Sequence, residues 1–173
     1  MKSIGYLIVF LFLSVNSQAQ QISFTSILDG VNKPVLDSFQ KELKDNKFIM
    51  VSPYKNRLKP EIWAYNYDPN NNRAQSWVHY SFDKSVYEKK KKKTATVEIT
   101  FTTFGSDNQF HAYLLKLIKE NCRFAGTFTD DYEGYFYDEY FHSSGADFKI
   151  YSNIEEYYIK VHNTIKIVIE DLE

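Results

Sequence analysis

The stretch Ser106–Phe124, SDNQFHAYLLKLIKENCRF, carries the clearest structural signal in the chain. Its apolar residues recur at the three- and four-residue spacing of one helical face, which predicts a helix over about Asp107 to Glu120. Ser106 and Gln109 form a capping-box pattern at its start, and Asn121 suits the residue that closes a helix. The apolar positions are Phe110, Tyr113, Leu114, Leu117 and Ile118.

A second amphipathic helix is predicted over about Lys33 to Asp45, after Asn32 as N-cap and with Pro34 in its first turn. Both helices end in similar sequences, LKDN at 43–46 and IKEN at 118–121, and each is followed by a predicted strand. The strands begin near Phe48 and near Phe124.

The similarity continues beyond the helices. EIWAYNYD at 61–68 occupies the place of GYFYDEYF at 134–141, and TVEITF at 96–101 matches TIKIVI at 164–169. We therefore predict an α+β fold built from two similar units, at about 33–104 and 106–171, each a helix followed by an antiparallel meander. Alternation of apolar and polar residues within Val97–Phe101 predicts that one face of the sheet is buried and the other is more exposed to solvent.

In the order of its elements, this pattern is similar in outline to tandem PepSY-like units and to the duplicated units of secreted β-lactamase-inhibitor proteins. One unit also resembles the helix-then-meander order of cystatin-like folds. These resemblances imply an exported protein that binds and does not catalyse.

The N-terminal MKSIGYLIVFLFLSVNSQA at 1–19 has the form of a signal peptide cleaved after Ala19. Its apolar run is shorter than the ~20 residues of a membrane-spanning helix, so no stable membrane anchor is expected. We predict an exported bacterial protein, periplasmic or secreted, with 20–173 as a single domain.

Charge is distributed unevenly along the mature chain. Residues 20–100 hold fourteen Lys and Arg against nine Asp and Glu, whereas 101–173 hold six against thirteen. This asymmetry can orient a protein partner and argues against nucleic acid as a ligand. The lysine run at 89–93 is typical of a solvated loop or of a guarded strand edge.

No common catalytic or phosphate-binding motif occurs in the sequence, and we expect no cofactor and no metal site. Cys122 is the only cysteine, which excludes an intramolecular disulfide; its place after a helix predicts a buried, unreactive thiol. The four histidines, His79, His111, His142 and His162, are scattered and are expected to be structural or on the surface.

Acidic residues gather at Asp130, Asp131 and Glu133 and again at Asp138 and Glu139. A solvated turn is the simplest interpretation, since the spacing fits no calcium loop. One alternative function is an envelope hydrolase that uses carboxylates between Asp130 and Glu139. Another is a carrier of a small apolar ligand, which requires an enclosed pocket.

Aromatic residues provide the main candidate binding surface. If the segments are strands, Trp63, Tyr65 and Tyr67 share one face, and Tyr135, Tyr137 and Phe141 share another, with Phe136 and Tyr140 opposite. Tyrosine and tryptophan are enriched at binding hot spots, although they also fill cores. We predict a non-enzymatic binding protein that contacts another protein or a glycan, with an inhibitor or immunity-type protein as one form of it. The candidate residues are Trp63, Tyr65, Tyr67, Tyr135, Tyr137, Tyr140 and Asp138.

Overall fold

The computed structural model describes residues 21–32, 36–53, 55, 59–83, 94–104, 109–130, 134–152 and 156–166. The predicted signal peptide and the lysine run lie outside these ranges. None of the described helices combines the length and the apolar character that crossing a bilayer requires.

Three helices are described: α1 (Phe24–Asn32), α2 (Asp37–Asp45) and α3 (Gln109–Asn121). The two predicted helices correspond to α2 and α3. Asn32, the predicted N-cap of the first, is instead the last residue of α1. Residues 33–35 and 105–108, with Ser106 of the predicted capping box, lie outside the described ranges. Helix α1 was not predicted. In each helix the buried residues follow one face, as Phe110, Leu114 and Ile118 do in α3.

The strands form one antiparallel sheet in the order β1-β2-β3-β4-β8-β7-β6-β5. Four belong to the first half of the chain: β1 (Ile49–Ser52), β2 (Glu61–Tyr65), β3 (Ser76–Asp83) and β4 (Thr94–Phe104). Four belong to the second: β5 (Arg123–Thr129), β6 (Phe136–Phe141), β7 (Asp147–Ser152) and β8 (Glu156–Lys166). The α+β prediction is therefore confirmed at the level of helices on an antiparallel sheet.

The two faces of the sheet differ in what covers them. One face, here the covered face, bears the register row Trp63, Val78, Phe101, Ile159 and Ile150. These residues join the buried residues of the three helices in one hydrophobic core. The opposite face, here the open face, bears the row Trp77, Thr102, Tyr158, Tyr151 and Tyr137, none of which belongs to that core.

Alternation along β4 shows how the sequence produces these faces. Val97, Ile99 and Phe101 are buried under the helices, whereas Glu98 and Thr100 between them are half-buried on the open face. The predicted alternation of this strand is confirmed. The same period in β8 buries Ile159 and Val161 next to β4.

Candidate functional site

Trp63, a predicted binding residue, belongs to the core. It is 1% exposed, and its indole Nε1–H donates to the Oε1 of Glu61. That carboxylate is itself buried and also accepts from the Nε2 of Gln40 at 2.9 Å and 3.1 Å. The arrangement satisfies a buried polar group, and Trp63 offers no surface to a partner.

Tyr65 and Tyr67 do not share a face, contrary to the predicted alternation. Tyr65 packs on the core, with its ring 5.6 Å from that of Phe48. Asn66 then adopts a left-handed φ of 50°, which breaks the strand period. Tyr67 consequently meets Trp77 on the open face, with ring centroids 5.7 Å apart.

The two predicted aromatic groups lie far apart. Strands β2 and β6 are separated by β3, β4, β8 and β7. At ~4.8 Å per strand spacing, their distance is about 24 Å. They do not form one continuous aromatic strip.

The second-half aromatics divide between the faces as alternation predicts. Tyr137 lies on the open face between Phe128 and Tyr151, with ring centroids 5.8 Å and 5.1 Å away, and the Nζ of Lys149 is 4.9 Å from its ring. Tyr140 lies on the covered face and is 7% exposed, so this candidate residue is mainly structural.

Four exposed aromatic side chains are distributed along the β5–β6 hairpin at the edge of the sheet. Phe136 is 69% exposed, and the other members are between 42% and 52% exposed. In the register of the hairpin, Phe124 and Phe136 lie on the covered face and Phe128 lies on the open face. Tyr135 directly precedes β6. We call this set the β5–β6 aromatic patch; its members are Phe124, Phe128, Tyr135 and Phe136.

Strand β5 is also an edge with little protection by charge. Its sequence, RFAGTFT, holds one charged residue, Arg123, and no lysine or proline. Edge strands normally carry such residues or a bulge to prevent pairing with another chain, and β5 has a register shift between Phe124 and Gly126. The patch therefore combines exposed aromatic area with a weakly charged edge whose register is regular from Gly126 to Thr129.

The described acidic residues do not converge. Asp138 accepts from Thr127 at 2.7 Å, Glu139 lies 3.9 Å from Lys149, and Asp130 accepts from Tyr151. Asp138 and Glu139 lie on opposite faces, so they cannot act as a pair in one cleft. Asp131 and Glu133 lie outside the described residues. No cluster of potential metal ligands occurs among the residues that the structure describes.

A groove that the sequence did not reveal lies beside the β6–β7 turn. It has a volume of about 720 Å³ and is lined by polar side chains together with Ile165 and the exposed Phe141. Histidine and carboxylate meet here: the Nδ1 of His162 is 2.8 Å from the Oδ1 of Asp147. Other lining residues are Asn32, Ser144 and Asn163. Because the lining residues lie far apart in sequence, no local motif predicted the groove.

The histidines differ in their electrostatic surroundings. Burial lowers the pKa of His79 and of His111, as expected for structural imidazoles. The hydrogen bond to Asp147 raises the pKa of His162 against the opposing effect of partial burial. Charge on His162 is therefore stabilised inside the groove.

Cys122 is half-buried against the core, directly after α3. Desolvation raises the pKa of its thiol to about 11. Little thiolate exists at neutral pH, which agrees with the predicted unreactive thiol.

Comparison with known proteins returned no matching family model, no matching curated protein and no matching solved structure.

Proposed function

We propose that this chain is an exported, non-enzymatic protein that recognises another protein through the β5–β6 aromatic patch. The observation that carries the proposal is the exposure of Phe124, Phe128, Tyr135 and Phe136 on the edge hairpin of the sheet. Aromatic residues dominate binding hot spots because they bury large area at little entropic cost. A protein surface that exposes several of them together is an expected interaction site.

The strand edge supports a specific mode of contact. Strand β5 is the last strand of the sheet in the part of the chain that the structure describes, and there no other strand pairs with the outer side of its backbone. An added strand could pair with that side. Strand addition supplies backbone hydrogen bonds, while flanking side chains provide specificity. Phe128 on the open face and Phe136 on the covered side would then hold the partner's strand from both faces.

Charge supports a basic partner. The half of the chain that contains the patch has an excess of seven acidic residues, with six Lys and Arg against thirteen Asp and Glu. Of the predicted binding residues, Tyr135, Tyr137 and Asp138 remain part of the proposed surface because they lie on or beside the hairpin. An inhibitor or immunity-type role requires this kind of tight, electrostatically guided contact.

We also propose that the two halves arose by duplication. Each half places a helix before four antiparallel strands, and β4 and β8 meet in the middle of the sheet. The register pairs Thr96 with Thr164, the residues that the sequence match equates. Such a pairing is expected where a pseudo-twofold axis crosses the sheet.

Affinity capture tests the binding function. Residues 20–173 are immobilised as wild type and as the double variant Phe128→Ser/Phe136→Ser, and envelope extracts of the source organism are passed over both. We expect to capture one or more proteins whose recovery is at least about tenfold lower with the variant than with the wild type. A loss of this size is expected when one or two aromatic contacts are removed from a binding surface.

The matched control is Ile49→Ser/Met50→Ser at the opposite edge, where the wild-type side chains are 51% and 41% exposed. It removes similar apolar area without touching the patch, so it should retain the captured proteins. Equal recovery by all three forms, or equal loss from both variants, would contradict the proposal.

A further inference from the structure

The groove at the β6–β7 turn contains an aromatic ring and polar groups in one register row. Phe141 of β6 pairs with Asp147 of β7, which pairs with His162 of β8, all on the open face. Directly paired side chains on one sheet face have Cβ atoms ~4.5–5.5 Å apart. The row therefore spans about 10 Å and sets an exposed phenyl ring beside a hydrogen-bonded carboxylate and imidazole.

We propose that this groove binds a neutral saccharide, with one pyranose ring stacked on Phe141. Phe141 is 40% exposed at the groove wall, as a stacking platform must be. A volume of about 720 Å³ falls within the range of small-ligand sites. The site is independent of the protein-binding patch proposed above.

The polar lining suits hydroxyl groups, each of which both donates and accepts. His162 uses Nδ1 toward Asp147, so Nε2 is the ring nitrogen that can meet a ligand. Asn163 donates from Nδ2 to the Oδ1 of Asn32 at 2.6 Å, which orients both amides. Asn163 pairs with the core residue Val97 and is 8% exposed, so this amide pair lies on the covered face and only fixes that part of the groove lining.

Gly145 forms part of the turn beside this amide pair. It adopts a φ of +92°, and a Cβ at this position would lie 3.6 Å from the Oδ1 of Asn163. A side chain here would strain the turn, so glycine fixes its shape.

The turn that forms the groove wall is preorganised. His142 and Ala146 are joined by a backbone hydrogen bond of 2.9 Å, and the Nδ1 of His142 contacts the hydroxyl and the backbone N–H of Ser144. The ring of His142 also packs on Phe24 of α1. A wall that is already ordered lowers the entropic cost of binding a weakly interacting ligand.

The same lining disfavours other ligand classes. Neither lysine nor arginine lines the groove within the described ranges, and the imidazole of His162 is already paired with the Asp147 carboxylate, which disfavours a phosphate or sulfate. An apolar ligand would desolvate Asp147 and Ser144 without offering either of them a hydrogen-bond partner. A polyhydroxylated ring with one apolar face meets both requirements.

NMR titration of residues 20–173 tests the proposal. The probes are maltotriose, cellotriose and triacetylchitotriose, with sodium succinate as a carboxylate comparison. We expect saturable shifts at residues 141–147 and 162–164 with at least one saccharide, weakened about tenfold by Phe141→Ala and retained by Phe141→Tyr.

The matched control is Phe136→Ala, on the same strand but on the other side of the sheet, which should leave saccharide affinity unchanged. The proposal would be overturned if succinate but no saccharide causes shifts, or if no saccharide shifts residues 141–147 and 162–164. It would also be overturned if both alanine variants weaken binding equally. Because Phe136→Ala affects the patch and Phe141→Ala the groove, failure of one proposal is separable from failure of the other.

Discussion

At the residue scale, Trp63 was predicted to lie on a binding surface, but it lies in the core beside the buried carboxylate of Glu61. It accepts hydrogen bonds from Trp63 and Gln40, and the Nζ of Lys44 lies 5.8 Å from the Trp63 ring. Tryptophan in an alternating strand is compatible with either a binding strip or a core, since both need large apolar area. Only the position of α2 above β2 determines that this side chain is covered.

Replacing Trp63 by alanine should therefore affect stability. We expect Trp63→Ala to lower the free energy of unfolding by about 3–5 kcal/mol, the cost of a large buried cavity together with a lost partner for Glu61. Guanidinium denaturation measures this loss. Tyr135→Ala, at a position that is 45% exposed, should change stability by less than about 0.5 kcal/mol. Similar losses from both variants would show that Trp63 is not a core residue.

The His162–Asp147 contact predicts a pH dependence of stability. The hydrogen bond raises the pKa of folded His162 above its ordinary value. A raised pKa contributes stability that is present below the unfolded pKa and lost as pH rises through the folded pKa. Asp147→Asn should thus destabilise the protein more at about pH 5.5 than at about pH 8.5.

Two measurements check this prediction: urea denaturation at both pH values, and the NMR titration of the His162 ring. The ring should titrate at a lower pH in Asp147→Asn than in the wild type. An unchanged titration of His162 would contradict the assigned cause.

At the element scale, helix α1 is the part that sequence patterns missed. Its sequence, FTSILDGVN, is nine residues long and includes Gly30, a poor helix former. Its buried residues are Ile27, Gly30 and Val31. Gly30 is present because the helix approaches β4 closely: a Cβ there would lie 2.9 Å from the Cδ1 of Ile99.

This close approach predicts a coupling between Gly30 and Ile99. Gly30→Ala alone should destabilise the protein by about 1 kcal/mol, because overpacking exceeds the gain in helix propensity. In an Ile99→Val background, which removes Cδ1, the same substitution should be neutral or stabilising. A double-mutant cycle from denaturation curves measures the coupling, and additive effects would contradict it.

Strand alternation was reliable within an element and unreliable across a turn. It correctly separated Tyr137 from Tyr140 on β6. It failed at Tyr67, because Asn66 takes a left-handed φ after the end of β2. A period of two describes extended backbone, and one left-handed residue resets it.

At the scale of the whole molecule, the halves of the chain are joined through the longest strand pair. Strands β4 and β8 pair over eleven residues each, from Thr94–Lys166 to Phe104–Glu156. Helix α1, from the first half, packs on both of these strands. Neither half therefore completes its own core.

Separated halves should fold only together. We expect the fragments 20–104 and 105–173 each to lack a cooperative thermal transition by circular dichroism, and their equimolar mixture to recover one. The intact chain 20–173 is the reference. A cooperative transition in either isolated fragment would show that β4–β8 pairing is not required for folding.

The sequence by itself determined the α+β class, helices α2 and α3, and the alternation of β4 and β6, because these depend on local periodicity and end signals. The tertiary structure alone decided that Trp63 and Tyr140 are covered, that Phe124, Phe128, Tyr135 and Phe136 are exposed, and that Asn32, Phe141, Asp147 and His162 line one groove. Exposure depends on which helix lies over which strand, and a groove depends on contacts between residues distant in sequence. Local patterns do not encode either of these long-range arrangements.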